Sequence, residues 1–302
     1  MMREEDSRFS SFFMGESEAK RKGGRAVNKV ECKLCPHHCK LSEDGIGFCR
    51  ARVNRSGQIV ALNYGLVTSI ALDPIEKKPL QRFFPGSRIL SVGSFGCNLR
   101  CPFCQNFEIS QAGFEEAYAR KMSPESLIEQ ALTLKDQGNI GVAYTYNEPL
   151  VGYEFVRDCA RMARKNGLKN VVVTNGCFCE EPLRELLPDI DALNIDLKGF
   201  TQHYYDKLKG DLETVKRAIQ VAAEYSHVEV TTLIVPGEND SDEEIRELSV
   251  WLATVGKEIP LHITRFFPRY KMLDRDATEV AEVYRLAEIA REALTYVYVG
   301  NC

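Results

Sequence analysis

Cys97, Cys101 and Cys104 stand in the spacing Cys-x3-Cys-x2-Cys within RILSVGSFGCNLRCPFCQNF, with Phe103 just before the last thiol. Three thiolates this close can hold three irons of a 4Fe–4S cube. The fourth iron then has no local cysteine and can bind something else. An open coordination position marks a site that does chemistry, whereas a structural zinc site closes with four protein ligands. The alternative is a zinc knuckle that borrows its fourth ligand from elsewhere in the chain. Ahead of the thiols, the β-branched apolar run Ile89, Leu90 and Val92 reads as a short buried strand. The loop after the C-terminal end of a strand is where α/β folds put their active sites.

A second group, Cys32, Cys35, Cys39 and Cys49, lies in CKLCPHHCKLSEDGIGFC with gaps of x2, x3 and x9. Four soft ligands in so short a stretch suit tetrahedral zinc, and they suit an iron–sulfur cluster as well. On the first reading a metal pins a subdomain too small to bury its own core. On the second it is an auxiliary cluster or a point of electron entry. The structural role is the preferred reading, with His37 and His38 as surface residues of the loop. Eleven cysteines, seven of them in two tight groups, look like metal ligands rather than a disulfide framework, so a reducing cytoplasm is expected. Cys159, Cys177 and Cys179 have no assignable role; the last two follow a strand end and read as partly buried thiols, with a place near the active site as the alternative.

The elements that must position these groups alternate. Strand-like runs start near Ile89, Ile140, Asn170, Ala192, His227 and Leu261, with helical stretches over about 123–137, 149–166, 180–187, 211–225, 241–255 and 277–295. Ser123-Pro124 places an N-cap before a proline at the first helical position, and Ser241-Asp242-Glu243-Glu244 is a capping box. Strands alternating with crossover helices imply a parallel sheet. The predicted fold is therefore α/β, a partial six-stranded (β/α)6 barrel over residues 87–302. It follows a small Cys-rich subdomain over residues 29–86 and a mobile, basic N-terminal arm over residues 1–28. The strand-like stretch QIVALNYGLVTSIAL, broken at Gly65, falls in the subdomain.

In such a barrel the strand ends carry the site. The second run ends in Asn147-Glu148-Pro149 and the third in Thr174-Asn175-Gly176. The fourth carries Asp196 and Lys198, two positions apart and so on one side of the strand. The fifth runs into Val235-Pro236-Gly237, and the sixth presents Arg265 before Phe266-Phe267-Pro268. A single strand-terminal Asp or Asn is commonly a cap, but polar groups at five successive ends facing one mouth point to a site. Asp196 and Lys198 have a second reading, a buried ion pair that stabilises the barrel mouth.

Composition narrows the classes further. A net charge of −4 argues against nucleic acid as an obligate partner. No apolar run approaches the roughly 18 residues that span a bilayer, and the opening MMREEDSRFS lacks the apolar stretch of a signal peptide.

Taken together, GCNLRCPFCQN, TYNEP, TNG, DLKG, VPGEND and RFFP resemble the motifs of radical S-adenosylmethionine (SAM) enzymes. The chain looks like the glycyl-radical-activase-like branch, the group around pyruvate formate-lyase activating enzyme. With CKLCPHHC…GIGFC included, it is similar to the radical SAM component of the AmmeMemoRadiSam system. The resemblance implies that Cys97, Cys101 and Cys104 ligate the catalytic cluster, with SAM's amino and carboxylate groups on the fourth iron. It places Phe103 at the adenine edge and Glu148 at SAM's ammonium. Asn147 stands where many relatives have glycine. Thr174, Asn175, Asp196 and Lys198 would lie near the carboxylate or ribose, Val235 would flank the adenine, and Arg265 would pair with the carboxylate. The implied chemistry is reductive cleavage of SAM to methionine and a 5′-deoxyadenosyl radical that abstracts hydrogen from an unidentified substrate. A one-electron donor such as flavodoxin or ferredoxin is implied with it. The alternative is an activase that takes a glycine hydrogen from a partner protein.

Overall fold

A computed structural model describes residues 29–302, so the arm expected over residues 1–28 lies outside the described residues. One sheet forms the body of the chain. Its strands are β1 (Ser69–Pro74), β2 (Arg88–Gly93), β3 (Asn139–Tyr144), β4 (Lys169–Thr174), β5 (Ala192–Asp196), β6 (His227–Ile234), β7 (Leu261–Arg265) and β8 (Val297–Gly300), side by side in that order. β1 runs antiparallel to β2, and every other neighbouring pair is parallel. All six expected strands are present, and the edge strands β1 and β8 extend the sheet beyond them.

The crossovers are α1 (Pro124–Thr133), α2 (Tyr153–Lys165), α3 (Glu180–Leu186), α4 (Gln202–Leu208), α5 (Leu212–Ala223), α6 (Asp242–Gly256) and α7 (Val280–Arg291). Helices cover the outer face of the sheet and the segment after β1 covers part of the inner one, which is why Val171 and Val172 are apolar in succession rather than alternating. In α2, Tyr153, Val156, Ala160 and Ala163 recur at helical spacing and are buried with Phe155 and Cys159. Full burial of a large apolar side chain contributes roughly 1.5–3 kcal/mol. α1 starts as its sequence predicts: Ser123 accepts from the Ser126 N–H, with Pro124 in the first turn. The box at α6 forms by half. Ser241 accepts from the Glu244 N–H at 3.2 Å, but the Glu244 carboxylate accepts from the Phe200 N–H at 2.5 Å, tying α6 to the segment after β5. The short helix α4 was not legible in the periodicity.

The boundary expected at residue 86 falls between β1 and β2 of one sheet. β1 is part of the main sheet, and the segment after it folds beneath the barrel. There Ile75, Leu80 and Phe83 pack against Ile89, Ala143, Val171 and Ala192. Three hydrogen bonds fasten this plug: Asn194 Nδ2 donates to Pro79 O at 2.8 Å, while the Glu229 carboxylate accepts from the N–H groups of Gln81 and Arg82. Sequence alternation alone could not tell a subdomain strand from an edge strand.

Ahead of β1, residues 52–61 form a hairpin, Arg52–Arg55 against Gln58–Ala61. Its two-residue turn, Ser56-Gly57, has positive φ at both positions (51° and 81°), matching the twist of the strands it joins. Val30–Glu31 pairs with Lys40–Leu41 across the loop that carries Cys32, Cys35 and Cys39. Among the described residues, no helix is long and apolar enough to cross a membrane.

Candidate active site

The C-terminal ends of β2 to β7 surround a cavity of about 280 Å³. Cys97, Cys101 and Cys104 line it together with Phe103, Asn147, Glu148, Thr174, Asn175, Asp196 and Lys198. Ten of the expected cofactor and cluster positions, Asn147 among them, thus meet on one surface, although they lie as far apart in sequence as Cys97 and Lys198.

The thiol loop is held from below by Asn147. Its Oδ1 accepts from the Ser94 N–H at 3.0 Å, and its Nδ2 donates to the carbonyls of Phe95 and Gly96 at 3.1 and 3.0 Å. Gly96, at φ 89°, passes so close to Cys49 O and Ala51 Cβ that a Cβ would meet them at 2.6 and 2.9 Å. From the barrel side, the Arg100 N–H donates to Leu208 O at the end of α4.

The donor set fits an iron–sulfur cluster. Cys97 Sγ accepts from the Leu99 N–H at 3.3 Å and from Asn175 Nδ2 at 3.6 Å, contacts that stabilise an anionic sulfur. Without a metal, burial pushes the Cys97 thiol well above its ordinary range and Cys101 up to about 11. Such buried thiols give up their protons when a cation takes their place. Among the described residues, no three His, Cys, Asp or Glu side chains converge on a single metal ion. A 4Fe–4S cube does not require that, because each thiolate binds a different iron.

Glu148 is buried with both oxygens engaged. Oε1 accepts from the Thr174 hydroxyl at 2.8 Å and the Leu150 N–H at 3.0 Å, and Oε2 accepts from the Asn175 N–H at 2.8 Å. Burial pushes its pKa up to about 7 against the opposing pull of these hydrogen bonds, and Asp196 adds to the rise.

Across the cavity, Lys198 Nζ donates to Asp196 Oδ2 at 2.8 Å. Burial alone would lower the lysine, but Asp196 and the Cys101 sulfur outweigh it and hold the ammonium charged. This leaves an ion pair with spare donors and a spare carboxylate oxygen on the cavity wall.

Two expected residues stand apart from this surface. Arg265 is one position past Thr264, which lines the cavity, so its side chain leaves the other face of β7. There its Nε donates to Thr278 O at 2.6 Å, and its guanidinium lies over Phe267. Val235 is buried in the turn after β6, where its N–H donates to Asn239 Oδ1. Thr231 and Leu233 share one strand parity on the wall, but which parity faces inward is set by the fold, and sequence reading missed both along with Thr264, Gln105, Ser110 and Tyr146.

The other four cysteines, Cys32, Cys35, Cys39 and Cys49, line a separate small cavity with Leu34, Arg52, Val151 and Phe178. His37 is not a free surface residue: its Nε2 is 2.8 Å from Asn98 O in the catalytic loop, and its ring packs on Phe48. Cys177 and Cys179 border this region, since Asn98 Nδ2 donates to Cys177 O and the Cys179 N–H donates to Leu34 O.

With this geometry in place, comparison with known proteins is decisive at the level of family. Residues 91–249, from β2 into α6, match the Radical SAM superfamily. The chain belongs to that superfamily. This radical SAM protein is 42% identical over 277 residues to the uncharacterized protein MJ0808 of Methanocaldococcus jannaschii, covering 91% of this chain and 82% of that one. It is 24% identical over 209 residues to pyruvate formate-lyase 1-activating enzyme of Escherichia coli K12, covering 67% and 82% of the two chains. SuiB of Streptococcus suis, solved bound to S-adenosylmethionine, shares the fold at a TM-score of 0.57 and 15% identity, over 71% of this chain and 52% of that one. The chain is thus a radical SAM enzyme with low-identity likeness to the pyruvate formate-lyase activating enzymes, and its family implies a 4Fe–4S cluster and SAM.

Proposed function

We propose that this radical SAM enzyme binds SAM in the cavity between β2 and β7, at a cluster held by Cys97, Cys101 and Cys104. The observation that carries the reading is a surface with three thiols, no fourth cysteine and a facing Asp196–Lys198 pair. The chemistry that cluster and SAM together supply is reductive cleavage of the sulfonium to methionine and a 5′-deoxyadenosyl radical, which takes hydrogen from a substrate. The chain's own part is to orient and to exclude water. Phe103 and Leu233 form apolar wall, Glu148 sets the backbone of Asn175, and Asp196 and Lys198 offer opposite charges to SAM's ammonium and carboxylate. Val235 and Arg265 lie off the cavity surface and take no part in this reading of SAM binding.

The four thiols of Cys32, Cys35, Cys39 and Cys49 hold a second metal, zinc or iron–sulfur, that folds the N-terminal segment; because they do not converge on one ion, a cluster with each thiolate on its own iron suits their placement better than zinc. A flavodoxin or ferredoxin type of donor in the cytoplasm supplies the electron. The motif set favours the AmmeMemoRadiSam type of radical SAM enzyme. Likeness to pyruvate formate-lyase activating enzymes supports a second reading, abstraction from a glycine of a partner protein.

Anaerobically purified protein should be brown and, once reduced, convert SAM to 5′-deoxyadenosine and methionine. Cys97→Ala, Cys101→Ala or Cys104→Ala should abolish turnover, and wild-type turnover in any of them sinks the assignment. Transfer of labelled hydrogen from a protein fraction into 5′-deoxyadenosine would favour the activase, and transfer from a small molecule the first reading.

A further inference from the structure

Tyr146 is the strained point of the cavity wall. Its φ is 72°, and the Asn147 N–H donates across it to Thr145 O at 3.0 Å. A three-residue turn with positive φ at its centre is rare and strained, and a bulky aromatic there is a true outlier. Such strain persists only when the surroundings over-determine it.

Three contacts do so. Gly93 leaves the room: a Cβ there would lie 2.9 Å from Tyr146 Cβ and 3.0 Å from Thr145 O. Asn106 Nδ2 donates to the Tyr146 carbonyl at 2.7 Å. The phenol hydroxyl donates to Asp73 Oδ2 at 2.7 Å, and the same oxygen accepts from Lys78 Nζ at 2.7 Å. Lys78 is buried, and its ammonium stands 5.0 Å over the Tyr146 ring. Asp73 closes β1 and Lys78 follows it, so the edge strand and plug reach up to grip a residue of the cavity. The turn they fix carries Thr145, Tyr146, Asn147 and Glu148, all on the wall facing the thiol loop.

We propose that Asp73 and Lys78 are positioning residues for SAM, acting through the Tyr146 hydroxyl to hold the strained turn that forms the SAM-facing wall. The inference rests on the reading of the cavity as a SAM site. Tyr146→Phe removes the tether while leaving the Asp73–Lys78 pair and the ring in place, so folding and iron content should stay near wild type.

The measurement is equilibrium SAM binding to the cluster-loaded protein, together with the change that SAM causes in the electron paramagnetic resonance spectrum of the reduced cluster. Tyr146→Phe and Asp73→Asn should each weaken SAM about tenfold and blunt the spectral change. Glycine adopts the turn without a tether, so in a Tyr146→Gly background Asp73→Asn should have no further effect. Wild-type SAM affinity in Tyr146→Phe, or an undiminished Asp73→Asn effect in the glycine background, overturns this inference alone. A wild-type cluster whose spectrum ignores SAM overturns the site reading and this inference together.

Discussion

The backbone N–H of Cys97 donates to the carbonyl of Cys49 at 3.2 Å, so the two cysteine groups are joined peptide to peptide. The Arg100 guanidinium lies 3.9 Å from the Phe48 ring centre, and His37 reaches Asn98 O beside it. The N-terminal cysteine loop is therefore one wall of the catalytic loop.

Replacing Cys35 and Cys39 together with Ser should make residues 30–57 protease-sensitive. A structural metal in a small module contributes on the order of 10–16 kcal/mol apparent folding free energy. Metal content should drop by one zinc or one cluster while the catalytic cluster still assembles, and amide exchange over residues 94–104 should speed up through the Cys49–Cys97 contact. A double variant with a protected N-terminus that no longer passes electrons to SAM would instead make this an auxiliary redox cluster.

Asn147→Ala removes the side chain that satisfies Ser94, Phe95 and Gly96. Buried polar groups left without partners cost roughly 1–3 kcal/mol each. The thermal midpoint and the iron bound per chain should both fall. Full iron with an unchanged midpoint would show that the loop holds its shape without this strut.

Asp196→Ala or Lys198→Ala should leave iron content nearly unchanged but weaken SAM binding about ten- to a hundredfold, the equivalent of roughly 1.5–3 kcal/mol for a charge-assisted hydrogen bond. Unchanged SAM affinity with a lower melting temperature would mark the pair as a structural ion pair of the barrel mouth.

Glu229 predicts an acid limb. Burial alone would raise its carboxyl, but His227, His262 and the N–H groups of Gln81 and Arg82 outweigh it and lower the pKa to about 2. Because the folded pKa lies below the ordinary 4.5, the stabilisation is complete above about pH 4.5 and is lost as pH falls toward 2, about 3 kcal/mol in all. The melting-temperature gap between wild type and Glu229→Gln should be widest near neutrality and close toward pH 2. A gap independent of pH would contradict the account.

The chemistry was local in sequence and so was legible there. Cys97, Cys101 and Cys104 need only a short loop to share a cluster, and the alternation of apolar strands with capped helices located β2 to β7. The period of a strand put Asp196 and Lys198 on one side, and the two do pair, although β5 ends at Asp196 and Lys198 lies in the segment after it. What the sequence could not express were choices made by packing between distant segments. Whether Ser69–Pro74 served a subdomain or the sheet depended on β2 being free to accept it. Arg265 was set aside because Thr264 took the inward position on β7, a register fixed only when β6 and β8 paired on either side. Tyr146 adopts a glycine-like turn because Gly93, Asp73 and Asn106, from three separate elements, meet around it. Local propensity favours none of that, and the strain is tolerated only because the folded barrel holds all three partners in place.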